Sequence, residues 1–172
     1  HDPESPLARR YLEHGMRSLR FLEELLGEMP GRTATVTVVR RERISGYARP
    51  GYVVVTESRA SEPVPGQAKF IAHELAHLWF SRARPTTEDY WLTETPAEYL
   101  GLRYVGESLG PAALDSLLDP IRARAADAPP LLGAGRAQDA ALYAKGPLLL
   151  FELEREIGRD RLDRVLRHLA DE

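Results

Sequence analysis

The sequence predicts an α+β domain in which a small N-terminal sheet is followed by a mainly helical lobe. Three observations predict it. Apolar residues recur at helical spacing from Leu7 to Leu26, the period changes to alternation and β-branched runs between Thr33 and Thr56, and helical spacing returns from Pro65 to the end. A length of 172 residues suits one domain that buries a core without staples. With 43% apolar and 28% charged residues, the chain is neither disordered nor collagen-like.

The first helix is marked by Ser5 as N-cap and Pro6 at the first helical position. Leu7, Tyr11, Leu12, Met16, Leu19, Leu22 and Leu26 form its apolar stripe, and Gly27 or Pro30-Gly31 stops it. Thr33 to Val39 alternates and is rich in β-branched residues, as a half-buried strand requires. Gly51 to Thr56 is a second strand after the Pro50-Gly51 turn signal, and Arg43-Ile44-Ser45 is a weaker third. Helices are then expected at 66–82, 93–108 and 111–126, followed by a Pro- and Gly-rich loop at 127–138. A terminal helical pair, 139–157 and 161–169, pivots on Gly158. There are no repeats and no low-complexity tract.

Composition narrows the function. A net charge of −3 argues against a nucleic-acid partner. The 21 Arg against two Lys scatter from Arg9 to Arg167 among acidic residues, so they do not form a phosphate-binding stripe. No apolar run approaches the roughly 20 residues of a membrane helix. The absence of Cys removes disulfides, thiol nucleophiles and Cys-ligated zinc, and carries no information on compartment. The chain begins at His1 rather than Met, and it is expected to be one catalytic domain, residues 1–172, cut from a longer protein with flanking domains.

The chemistry centres on His73-Glu74-Leu75-Ala76-His77. Inside a helix the i, i+4 spacing stacks both imidazoles on one face, where they can share a Zn²⁺ while Glu74 reaches a water on its open side. A lone His on an apolar helix face is ordinarily packing. Two flanking a Glu, in a chain with five His, point to a metal. Catalytic zinc takes a third protein ligand, and the downstream candidates are Glu88, Asp89, Glu94 and Glu98. Glu94 and Glu98 share a helix face behind Thr93 as N-cap, which would send Glu94 to the metal and Glu98 to the free ring N–H of a ligand His. In the competing reading Thr95 is the N-cap, Pro96 the first helical residue and Glu98 a capping-box partner.

The segments His73–Phe80 (HELAHLWF) and Trp91–Leu100 (WLTETPAEYL) resemble those of the membrane alanyl aminopeptidase family of gluzincins. Tyr143-Ala144-Lys145-Gly146-Pro147 is similar to that family's Tyr-x-Lys-Gly segment, and nearly the whole chain is covered. The resemblance implies a thermolysin-like zincin domain with zinc on His73, His77 and Glu94. It implies Glu74 as general base and Tyr143 as the hydroxyl that stabilises the oxyanion, and it makes Lys145 and Gly146 structural.

The departures bear on specificity. The connection Leu78 to Thr93 is two residues shorter than is usual for the family. In the strand before the zinc helix the family carries a Glu that holds the substrate's free amine. Gly46 to Gly51 here has no acidic residue and carries Arg49 instead. The expected activity is zinc-dependent hydrolysis of a peptide or protein substrate, with Tyr52 to Thr56 as the edge strand that pairs with the peptide. The alternative is a zinc-stabilised interaction module that has lost turnover.

Overall fold

In a computed structural model the described residues are 6–31, 33–39, 46–49, 51–57, 62–81 and 87–171. Helix α1 spans Pro6–Leu26. Its buried face is Tyr11, Leu22, Leu25 and Leu26, while Leu12 and Met16 stay exposed. The Ser5 cap and the weak strand at Arg43-Ile44-Ser45 lie outside the described residues. Strands β1 (Thr35–Val39), β2 (Gly46–Arg49) and β3 (Tyr52–Thr56) form one sheet in the order β1-β3-β2. β1 runs parallel to β3, and β2 runs antiparallel to it with Arg49 opposite Tyr52.

This order corrects the edge assignment. Tyr52 to Thr56 is the central strand, and β2 is the edge beside the α2 face. The difference was encoded in the valines. β1 alternates because it is only half covered, whereas the unbroken Val53-Val54-Val55 is buried on both faces. β2 escapes the pattern because Gly46-Tyr47-Ala48-Arg49 contains one large apolar residue, and that residue faces out.

The helical lobe comprises α2 (Val64–Ala76), α3 (Trp91–Leu109), α4 (Pro111–Ala125), a π-helical turn at Ala141–Lys145, α5 (Gly146–Ile157) and α6 (Arg159–Asp171). α2 stops at Ala76 rather than at residue 82, and the chain continues in turns that bond Leu78 N to Leu75 O and Trp79 N to Ala76 O. His77 nevertheless keeps helical dihedrals, φ −64° and ψ −9°, so its spacing to His73 survives.

α3 begins at Trp91, two residues earlier than expected, because its first turn is closed by tight bonds from Leu92 N to Asp89 O and Thr93 N to Tyr90 O. Neither Thr93 nor Thr95 caps it. Thr95 lies within the helix and its hydroxyl donates to Leu142 O at 3.1 Å. α2 and α3 pack directly, with Ile71 and Leu75 in the same core as Tyr99 and Leu100. Gly101 permits that approach, since a Cβ there would sit 2.8 Å from Lys69 O and 3.3 Å from the His73 Cβ. The two helices that hold the candidate ligands are thereby set at a fixed, close distance.

Candidate metal centre

His73 and His77 present their rings from one face of α2, with ring centroids 4.8 Å apart. Glu94 reaches them from the first turns of α3. The three potential ligand atoms form a nearly equilateral triangle. His73 Nε2 and His77 Nε2 are 3.2 Å apart, and Glu94 Oε2 is 3.5 Å from each. A tetrahedral ion held at about 2.0–2.1 Å from each ligand would set them about 3.3–3.4 Å apart. The triangle has the size of one face of such a site.

The donor set argues in the same direction. His77 Nδ1 lies 3.0 Å from Phe80 O, and a carbonyl only accepts, so the proton is on Nδ1 and Nε2 carries a lone pair. His73 Nδ1 lies 2.9 Å from Glu98 Oε2, a close contact not aligned as a hydrogen bond, and the negative carboxylate favours the proton on that nitrogen. Two lone pairs and a carboxylate oxygen therefore converge in a nearly buried spot. Only a cation, or a proton on one ring, relieves that convergence. Without a metal the proton is held tightly: burial opposes the charged ring, yet Glu94 and Glu98 outweigh it and raise the His73 pKa to about 9.

Both carboxylates of α3 are supported from outside the triangle. Burial works against charge on Glu94, but His73 and His77 hold it well below the usual carboxylate range. Its other oxygen, Oε1, accepts a hydrogen bond from Tyr90 OH at 2.5 Å. Glu98 is 3% exposed and takes Lys69 Nζ on Oε1 at 2.6 Å while Oε2 faces His73. Lys69 and His73 overcome burial and lower its pKa to about 2. Glu98 is thus committed to α2 and is not a capping partner.

Glu74 and Tyr143 stand on the walls of the same cleft, of ≈ 340 Å³, as His73, His77 and Glu94. Glu74 is 5% exposed and packs against β2. A Cβ at Gly46 would meet Phe70 Cζ at 2.2 Å and Glu74 Oε1 at 3.0 Å, so only glycine lets the strand lie this close to the carboxylate. Tyr143 rides on the π-helical turn, and its ring centroid is 5.9 Å from that of His73. Burial, and then the charge of Glu94, push its hydroxyl well above the usual tyrosine range, so at neutral pH it remains a hydrogen-bond donor. Lys145 Nζ donates to Ala128 O, and Gly146 lies against Thr95; both residues hold the turn in place.

Five of the residues singled out from sequence therefore line one cleft, and Glu98 supports it from behind. Glu88 and Asp89, the other candidate ligands, are exposed ahead of α3 and belong to no ligand group among the described residues. Sequence reasoning missed Tyr90 and Lys69. Each stands four residues before a site residue, Tyr90 before Glu94 and Lys69 before His73, so helical spacing was the available signal. It also missed Arg136, which enters the cleft wall from the 127–138 loop and has no periodicity to betray it.

No sequence-family model and no curated protein matches the chain. Solved structures do. The M1 zinc metallopeptidase from Deinococcus radiodurans matches with a TM-score of 0.71 at 23% identity, over 92% of this chain and 36% of its own. The chain shares the fold of M1 zinc metallopeptidases. Yeast LTA4 hydrolase in complex with bestatin matches with a TM-score of 0.78 at 21% identity, over 95% of this chain and 29% of its own. The native form of that enzyme from Saccharomyces cerevisiae matches with a TM-score of 0.67 at 22% identity, over 91% of this chain and 28% of its own. At these identities the likeness is one of fold, and this chain spans about a third of the length of each. Among the described residues no helix is long and apolar enough to cross a membrane.

Proposed function

We propose that this chain is the catalytic domain of a zinc-dependent hydrolase of peptide bonds, with His73, His77 and Glu94 as the ligands. The observation that carries the reading is the triangle of three acceptors, closed on α2 and α3, with Glu74 and Tyr143 on the walls of the same cleft. A bound Zn²⁺ supplies a Lewis acid that polarises the scissile carbonyl and lowers the pKa of water. Glu74 takes the proton of the attacking water and delivers it to the departing amine. Tyr143 donates to the carbonyl oxygen as it gains negative charge. Glu98 fixes the ring of His73, and Tyr90 fixes the carboxylate of Glu94. The outer edge of β2 is where an extended peptide pairs with the sheet.

A second reading, a zinc-stabilised interaction module without turnover, is favoured by Arg49, which lines the cleft from the strand where the resemblance implies an amine-holding carboxylate. One experiment separates the two: metal content, and cleavage of a mixed peptide library followed by mass spectrometry, with and without chelator. About one zinc per chain and chelator-sensitive cleavage support the peptidase. Full zinc occupancy with no cleavage supports the module, and no zinc rejects both.

A further inference from the structure

The cleft's charges point to the class of peptide it takes. Among the described residues two arginines line it, Arg49 from β2 and Arg136 from the 127–138 loop. A third, Arg124, lines the adjoining cavity of ≈ 290 Å³, which shares Gly46, His73, Glu74 and Tyr143 with the cleft. None of the three is ion-paired to a carboxylate of the described residues. Arg49 Nη1 instead donates to Ala48 O at 3.0 Å, with its Cζ 5.6 Å from the Tyr47 ring centroid, so the side chain is laid along its own strand.

The carboxylates are already committed. The cleft is lined by two, Glu74 and Glu94, and a divalent ion in the triangle offsets both. In the adjoining cavity Lys69 is neutralised by Glu98. Asp139 acts on Tyr90 and Tyr143 electrostatically without lining the cleft. The uncompensated charge beside the metal is therefore cationic. An ammonium entering here finds, among the described residues, no carboxylate left over by the metal and Lys69, whereas a carboxylate finds planar donors of the kind that bind it in a fork.

We infer that the cleft selects peptides bearing a carboxylate close to the reacting bond, either an Asp or Glu side chain or a free C-terminus, held by Arg49 and Arg136. The inference rests on the peptide-cleft reading above and deepens it, but charge selection reads out in binding as well as in turnover. Acetylation of the peptide N-terminus is expected to carry no penalty, because among the described residues the cleft-lining carboxylates are Glu74 and Glu94, both facing the metal site.

The test uses the zinc-loaded protein and N-acetylated peptides with identical flanks in four forms. These carry internal Glu with an amidated end, internal Gln with an amidated end, internal Gln with a free carboxyl end, and internal Lys with an amidated end. Binding is read by fluorescence anisotropy and cleavage by mass spectrometry. A carboxylate form is expected to bind about tenfold or more tightly than the Gln amide at low salt. The advantage shrinks as salt rises and disappears in the Arg49→Gln, Arg136→Gln double variant. A gain by the internal Glu form alone assigns the contact to a side chain, and a gain by the free-carboxyl form alone assigns it to a C-terminus. Equal binding of all forms, no binding of any form, a preference for Lys, or an advantage that survives the double variant overturns the inference. Cleavage of all forms at equal rates overturns it while sparing the peptidase. Selective binding without cleavage spares it and rejects the peptidase.

Discussion

Helix α3 carries two polar clusters, one at each end, and they are built on opposite principles. Toward its C-terminus Arg103 forks onto Asp163, with Nη2 3.0 Å from Oδ2, and sends Nε to Glu107 at 3.0 Å. Arg159 bridges Glu154 at 2.6 Å and Glu107 at 3.2 Å, and Tyr99 donates to Glu154 at 2.8 Å. Guanidinium forks and a phenol answer the carboxylates, and the cluster ties α3 to α5 and α6. At the other end Glu94 meets two imidazoles, and without a metal only a proton taken up by His73 answers the converging acceptors. The first cluster is complete as folded; the second requires something from outside. A closed polar network is architecture, and a buried one with surplus acceptors facing a cleft is a site.

The comparison breaks most visibly at Glu74 and Glu94. Glu94→Ala removes one vertex of the triangle, and metal analysis should find zinc largely gone. Glu74→Gln preserves shape and all three ligands, so zinc should stay while peptide cleavage falls about 10²–10⁴-fold. Unchanged cleavage in Glu74→Gln would remove it as the base. Arg103→Ala should do the reverse. It strips the partner from Asp163 and costs about 3 kcal/mol in denaturant unfolding, leaving zinc stoichiometry intact. Zinc loss in Arg103→Ala at a temperature where the fold persists would mean that the two clusters are not separable.

A finer test lies within the metal cluster itself. Tyr90→Phe keeps the ring and deletes only the donor to Glu94 Oε1. Competition with a chromophoric chelator should show zinc affinity lowered about tenfold. An affinity equal to that of the unaltered protein would show that Glu94 needs no help in holding its orientation, and would reduce Tyr90 to packing.

What the sequence revealed follows the same division. His73, His77 and Glu94 were legible because helical spacing places them, and because the residue types have one common purpose. Glu98 was legible as a choice between two roles, which became single only when Lys69 and His73 appeared on its two oxygens. The Arg103–Asp163 fork was invisible, since it joins residues 60 positions apart and neither belongs to a pattern. β2 was hidden for a different reason. An edge strand that must lie against Glu74 requires Gly46, and so the run loses the apolar alternation that announces strands. The feature that positions the cleft wall is the one that erased its signal.

The smallest expected effect concerns a third polar group, His14 on α1, which belongs to neither cluster. It is 7% exposed, with Nδ1 3.2 Å from Tyr104 OH. Burial lowers its pKa from 6.5, with Arg17 and Arg10 adding to the effect and Glu13 opposing it. The folded state therefore resists a proton that the unfolded chain accepts. Well above pH 6.5 both states are neutral and the full stability is present. As pH falls below 6.5 the unfolded state protonates first, and stability declines until the pH passes the lower, folded value. One such group contributes at most about 1.4 kcal/mol per pH unit. The metal ligands also titrate in acid, so the quantity to measure is a difference. Urea unfolding of the unaltered chain and of His14→Gln should give curves whose separation is nearly constant well above pH 6.5 and changes as the pH falls below it. Parallel curves across that range would mean that His14 takes up its proton as easily folded as unfolded, and that its burial beside Tyr104 has no electrostatic consequence.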